Sequence, residues 1–178
     1  MLRIVAGEFG SRRIEVPRGS LTRPTAERVR EALFSMLGPL SGERVLDLFG
    51  GSGALGIEAV SRGAAEAVFV DSSPVAVSCM RGNLDSLGIE ARVLKLDWTV
   101  ALADLERRGD RFDLVFADPP YSEADSVFER LSAALEAILA PQAVVVCESG
   151  IDTEPVSGMR LLRERRHGDT LLRLYGND

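Results

Sequence analysis

After residue 43 the chain repeats one pattern: a short run of β-branched and aromatic residues, then a stretch of helical periodicity. The apolar runs cover residues 44–49, 67–71, 91–96, 112–118 and 143–148. Strands that alternate with helices are joined by crossovers, so the pattern predicts an α/β fold with five parallel strands and helices on both faces of the sheet. The punctuation agrees. Ser73-Pro74 reads as an N-cap and first-turn proline with Gly88 as the stop, Gly63 and Gly109 end the neighbouring helices, and Pro141 follows the last. Residues 159–165 and 170–175 break the alternation, because only the turn-forming His167-Gly168-Asp169 separates them. They predict an antiparallel hairpin and hence a mixed sheet with one reversed strand.

The start of the chain is different. Residues 2–6 and 13–16 are expected to pair as a hairpin across 7–10, and 17–24 reads as loop. Thr25 then caps a helix with Val29, Leu33, Met36 and Leu37 on one face, ended by Gly38-Pro39. The chain thus divides into an N-terminal hairpin-and-helix extension, 1–40, packed on a main domain, 41–178.

Composition narrows the function classes. No apolar run is long enough to span a bilayer and the start lacks the pattern of a secretory signal, which predicts a cytoplasmic protein with no membrane partner. Cys79 and Cys147 lie far apart in apolar surroundings and read as buried thiols; with His167 as the one histidine, no metal centre is expected. The net charge of −6 argues against nucleic acid, but its distribution does not. Residues 1–30 hold seven arginines against three glutamates, and 160–173 hold Arg160, Arg163, Arg165, Arg166 and Arg173 against Glu164 and Asp169, so the middle of the chain is strongly acidic.

Within "VLDLFGGSGALG" Gly51, Gly53 and Gly56 have the G-x-G-x-x-G spacing of a dinucleotide loop, and Asp71 ends the next strand where a ribose-binding acid belongs. The other strand ends decide against a pyrophosphate. In an open α/β sheet ligands bind beyond the carboxyl ends of the strands, and four residues there are acidic: Asp47, Asp71, Asp97 and Asp118. Such a ring repels phosphate and attracts a cation. S-adenosylmethionine, a nucleoside with a sulfonium and an ammonium but no phosphate, fits that field. On this reading Gly50, Gly51, Ser52 and Gly53 approach its methionine part, Asp47 lies near the ammonium, and Asp71 accepts the ribose hydroxyls. Asp97 or the Trp98 backbone addresses the adenine, and the Trp98 ring is either a wall of that pocket or core. Phe49 and Ser72 complete the cofactor-facing set.

Asp118-Pro119-Pro120-Tyr121 follows the fourth strand. An aromatic exocyclic amine is a weak nucleophile because its lone pair is delocalised into the ring. Asp118 and the Pro119 carbonyl would hold its N–H groups, the prolines stiffen the turn, and Tyr121 offers a stacking face.

These residues resemble the RsmD family of bacterial small-subunit ribosomal RNA guanine-N2 methyltransferases, almost end to end. The likeness rests on RIVAGEFGSRRIEVP, TRPTAERVREALFSML, VLDLFGGSGALGIEAVSRGA, DPPY and HGDTLLRLY. It implies a class I methyltransferase (Rossmann-like) fold with a seven-stranded sheet, and methyl transfer to N2 of a specific guanine in 16S rRNA, within an assembled small-subunit particle, by a monomer. It also implies that Arg3, Arg12, Arg13, Arg18 and Arg23 meet RNA, and that Arg23 and Thr25 line the cofactor entrance. Where family members often have alanine, this chain has Gly51. The alternatives are another amino-methyltransferase, acting on DNA adenine or cytosine or on protein glutamine, and an NAD-dependent oxidoreductase.

Overall fold

The computed structural model describes residues 1–17 and 24–177, and the backbone alone for 24–26. Seven strands form the main sheet: β3 (Arg44–Asp47), β4 (Glu66–Val70), β5 (Arg92–Leu94), β6 (Phe112–Ala117), β7 (Leu139–Gly150), β8 (Arg160–His167) and β9 (Thr170–Gly176). Their spatial order is β5-β4-β3-β6-β7-β9-β8. β9 pairs antiparallel with both neighbours while β5, β4, β3, β6 and β7 run parallel, so the sheet is mixed with one reversed strand, as the terminal pattern predicted. Two further strands, β1 (Leu2–Arg3) and β2 (Arg13–Ile14), form a separate antiparallel pair.

Helices cover both faces because each buried strand is apolar on both sides, with successive side chains pointing oppositely. Leu46, Val68, Val70, Val115 and Ala117 pack with α4 (Trp98–Arg108) and α5 (Ala124–Leu135). Their sequence neighbours Val45, Ala67, Phe69, Leu114 and Phe116 pack on the other side with α1 (Pro24–Leu37), α2 (Ala54–Ser61) and α3 (Pro74–Leu87). Ile4 and Ile14 from the β1–β2 segment join that second layer, so the N-terminal residues share its core. Among the described residues no helix is long and apolar enough to cross a membrane.

The caps follow the sequence closely. The Ser73 hydroxyl accepts from the Ala76 N–H with Pro74 next, and Gly88 and Gly109 close α3 and α4 in the left-handed region. Three expectations need correction. β1 and β2 are shorter than 2–6 and 13–16, because the Val5 and Ala6 N–H groups donate to the Glu58 carboxylate, at 2.8 and 3.0 Å, rather than to a strand. α1 begins at Pro24, so Thr25 lies inside its first turn. Pro141 does not follow a helix directly: a 3-10 turn (Glu136–Ile138) intervenes, and Pro141 lies in β7, where the register with β6 shifts between Phe112 and Leu114 and Gln142 takes a positive φ of 65°. Such an irregularity is where a strand tolerates a proline.

α2 approaches the sheet closely at Gly56, where a Cβ would stand 2.3 Å from the Phe69 ring. Gly56→Ala is therefore expected to lose about 2 kcal/mol through overpacking, read by urea unfolding. Gly82→Ala, on α3 with nothing near its Cβ position, should instead gain about 0.5–1 kcal/mol of helix propensity.

Candidate active site

The order of the strands gathers the carboxyl ends of β3, β4, β6 and β7 along one edge of the sheet. Between β3 and α2 the glycine turn is held by backbone and acid together. Gly50 N–H donates to the Val70 carbonyl at 2.8 Å, tying the turn to β4. Gly51 N–H donates to Asp71 Oδ2 at 2.9 Å, and Gly56 N–H donates to Asp47 Oδ2 at 3.0 Å. Asp71 Oδ1 accepts from the Ser73 N–H at 2.8 Å, so this one carboxylate joins the turn to the start of α3. Ser52 is buried, and its carbonyl accepts from the Asn83 amide at 2.8 Å. Gly53 closes the turn at φ 81°, a conformation that favours glycine.

Asp47 is 2% exposed. Burial pushes its carboxyl up to about 7 against the hydrogen bond from Gly56, with Asp71 adding to the rise. Asp118, one residue past the end of β6, is raised well above the carboxylate range by burial first, then by Glu148 and Asp47. Glu148 itself is pushed up to about 7 by burial. Register explains the meeting: Ala117 pairs with Cys147, so Asp118 and Glu148 are the next residues on adjacent parallel strands. Among the described residues no group of three or more His, Cys, Asp or Glu is arranged to hold a metal ion.

Beyond Asp118, Pro119 is buried and Pro120 exposed, and the Pro120 carbonyl accepts from the Glu123 N–H at 2.8 Å, fixing the turn into α5. Tyr121 is 49% exposed, with its hydroxyl 3.1 Å from Thr170 Oγ1 at the start of β9. On the other side of the glycine turn Phe49 is half-buried and its ring lies 6.3 Å from that of Trp98. Trp98 packs in the core against α4 and α5 residues, with the Arg130 guanidinium 5.3 Å from its ring centroid. Asp97 caps α4: its Oδ1 accepts from the Thr99 N–H at 2.9 Å and from the Thr99 hydroxyl at 2.5 Å, which holds it below the usual carboxylate range. Ser72 is exposed between Asp71 and Ser73.

The N-terminal arginines divide. Arg3 lies 3.4 Å from Glu27 on α1, and Arg12 donates to the Ser86 carbonyl near the end of α3 at 2.9 Å. Arg13 is exposed. Arg30, one of the seven, is buried with Nε 3.5 Å from Glu58 and is a core residue rather than a surface charge. Arg18 and Arg23 lie outside the described residues, as does the Thr25 side chain.

Sequence reasoning missed Glu148 and Thr170. The signal for Glu148 was present, as the acid that ends the fifth apolar run; Thr170 needed the reversed strand to bring it to Tyr121.

This strand order with the reversed β9, and a ligand edge built from a glycine turn and strand-end acids, define a class I methyltransferase-like α/β fold. Residues 2–176 match the family model described as "Conserved hypothetical protein 95". The chain is 35% identical to the putative rRNA methyltransferase YlbH of Bacillus subtilis, covering 98% of each, and 36% identical to ribosomal RNA small subunit methyltransferase D of Escherichia coli K12, covering 98% of this chain and 89% of that one. A solved structure described as the putative methyltransferase yhhF from Escherichia coli superposes with a TM-score of 0.86 at 34% identity, covering 99% of this chain and 98% of that one. The chain belongs to this family, the RsmD family.

The raised carboxyls give a pH signature. Asp47 and Glu148 retain protons in the folded state that an unfolded chain has released above about 4. Their contribution to stability is fully present below that value and is lost as pH rises through about 7. Urea unfolding should therefore show stability falling between pH 5 and pH 8, with a shallower fall in Asp47→Asn. An equal slope in that variant would remove Asp47 as a source.

Proposed function

We propose that this protein is an S-adenosylmethionine-dependent rRNA methyltransferase whose target is the exocyclic N2 amine of a guanine in the small-subunit rRNA. Family membership supports the coarser part of this reading. The observation that carries the finer part is the pair of carboxyls, Asp118 and Glu148, side by side at the mouth of the Pro119-Pro120-Tyr121 turn.

The residues fit a cationic cofactor: three carboxyls, Asp47, Asp118 and Glu148, whose ionised forms are disfavoured by burial, and at Asp118 also by Glu148 and Asp47, would each be relieved by positive charge placed among them. When bound, S-adenosylmethionine supplies an electrophilic methyl group on its sulfonium. Asp47 and the glycine turn would hold its amino-acid end. Asp71, with both oxygens already accepting backbone N–H groups, keeps lone pairs for ribose hydroxyls. Phe49 would border the adenine side, with Ser72 and Asp97 at its rim.

On the acceptor side, Tyr121 provides a half-exposed ring for a base turned out of its stack, and Thr170 fixes the tilt of that ring. Asp118 and the Pro119 carbonyl accept the N2 hydrogens, keeping the nitrogen lone pair turned out of the ring plane. A guanine also presents N1–H beside its amine, whereas adenine and cytosine present a ring nitrogen lone pair there. A second carboxylate at Glu148 accepts the first and repels the other two. Asp118 is then the group positioned to receive the proton released as the nitrogen is methylated, and most of the acceleration comes from alignment. Arg3, Arg12 and Arg13 supply phosphate contacts.

The test is transfer of labelled methyl from S-adenosylmethionine to small-subunit particles from cells lacking the enzyme, with the modified nucleotide located by mass spectrometry. N2-methylguanine in 16S rRNA is expected, and label in DNA or protein alone would refute the reading. Asp118→Ala should lower kcat by about 10²–10⁴-fold, a loss that persists at saturating S-adenosylmethionine.

A further inference from the structure

Resting on the rRNA reading above, we infer that the edge strand β8 is a second RNA-binding surface, with Arg163 and Arg165 gripping the phosphate backbone that leads away from the target base. Although the chain carries a net charge of −6, residues Arg160–His167 hold four arginines against Glu164. All of residues 160–166 are exposed, and β8 is the last strand of the sheet.

Register sorts these charges by face. Arg163 pairs with Leu174 and Arg165 with Leu172, and both leucines belong to the core layer that contains the α1 residues Val29, Leu33 and Phe34. Arg163 and Arg165 therefore lie on the α1 face of the sheet, about 7 Å apart along the strand. Arg163 Nη1 donates to the Met36 carbonyl in the last turn of α1 at 3.1 Å. The one acid among them, Glu164, is 2.7 Å from the buried Arg173 and is neutralised there. An open groove of about 410 Å³ runs between α1 and β8, lined by Ser35, Met36, Arg163, Glu164 and Arg165.

The same strand leads to the site. His167, at the end of β8, pairs with Thr170, and Thr170 is bonded to the Tyr121 hydroxyl. From the ring on which the target base would stack, the chain of contacts runs through Thr170 and His167 onto Arg165 and then Arg163. An RNA strand with one base turned out onto Tyr121 has to carry its backbone across one side of the site or the other. On this side it meets two arginines with no unpaired acid between them. Guanidinium groups suit phosphate geometrically as well as by charge.

An edge strand also carries charge simply to prevent pairing with another sheet, and Arg163 also satisfies the end of α1. The experiment separates these roles. Methyl transfer to unmethylated small-subunit particles is measured against salt for the full-length protein, for Arg163→Gln/Arg165→Gln, for Arg165→Gln alone, which spares the Met36 contact, and for Arg163→Lys/Arg165→Lys. The double Gln variant should raise KM about ten-fold and lower the salt slope by about two, the single by about one, with kcat and S-adenosylmethionine affinity unchanged. The Lys pair should keep the salt slope. Unchanged KM and slope in both Gln variants, beside an active parent, would overturn the inference; so would a change confined to self-association, which is the edge-protecting role alone. A parent that transfers no methyl to rRNA fails the functional reading itself, an outcome visible before any variant is compared.

Discussion

Three carboxyls, one buried and two half-buried, meet at the ligand edge of the sheet, and the arrangement of that edge answers to their desolvation. Asp47, Asp118 and Glu148 come from three adjacent strands, β3, β6 and β7, whose parallel register brings together the last residue of β3, the residue just past β6 and one near the end of β7. Buried charge of one sign is costly unless it is protonated or met by a cation. Near neutrality the group stands between those two states, with Asp47 and Glu148 both pushed up to about 7. A site of this kind is destabilised in its ionised form and regains stability on binding a positive ligand. Affinity for a cation and modest stability above neutral pH are thus two readings of one arrangement.

A second buried acid does the opposite work. Glu58 on α2 is fully buried and fully engaged: it accepts from the Val5 and Ala6 N–H groups and from Arg62 Nε at 2.8 Å, with Arg30 Nε 3.5 Å away. Its partners come from the N-terminal segment, α1 and the residue that follows α2. The Ser61 hydroxyl extends the same grip, accepting from the Phe9 N–H at 3.0 Å and donating to the Ala6 carbonyl at 2.5 Å. Because α2 begins at the glycine turn, the segment carrying Arg3, Arg12 and Arg13 is bolted to the helix that shapes the cofactor side of the site. Asn83 adds an independent link, accepting from the Glu15 N–H and donating to the Glu15 and Ser52 carbonyls. The N-terminal segment and the glycine turn are therefore linked through three buried polar side chains, Glu58, Ser61 and Asn83.

Most of the architecture was legible because alternation of apolar runs is imposed by burial on both faces of the sheet, and the caps at Ser73, Gly88 and Gly109 are local chemistry. What escaped was long-range. The β1–β2 pair is cut short by Glu58, fifty-odd residues further on, and a glutamate inside "GIEAV" gives no hint of which backbone it will bind. Glu148 was visible as the end of a run, but its pairing with Asp118 depends on β6 and β7 being neighbours in that register. The sequence predicts ligand contacts at Asp71 and Asp97 and gives no sign of what the structure shows, that each carboxylate holds backbone in place. The basic count near the N-terminus overstated the surface charge, since Arg30 faces the core.

The G-x-G-x-x-G spacing can now be taken apart by what each glycine does. Gly53 supplies a left-handed turn and Gly56 lets α2 approach Phe69, roles that the same spacing serves in a dinucleotide loop. The difference lies in the N–H groups. In a phosphate cradle they point at an external anion, but here Gly51 N–H is taken by Asp71 and Gly56 N–H by Asp47. The protein supplies its own carboxyls to the turn, Asp47 buried beneath it and Asp71 half-buried beside it. A phosphate would have to displace hydrogen bonds and sit beside two carboxylates. A cation would leave the hydrogen bonds intact and lower the cost of both charges, so the same three glycines that mimic a nucleotide fingerprint build a site of the opposite electrostatic preference.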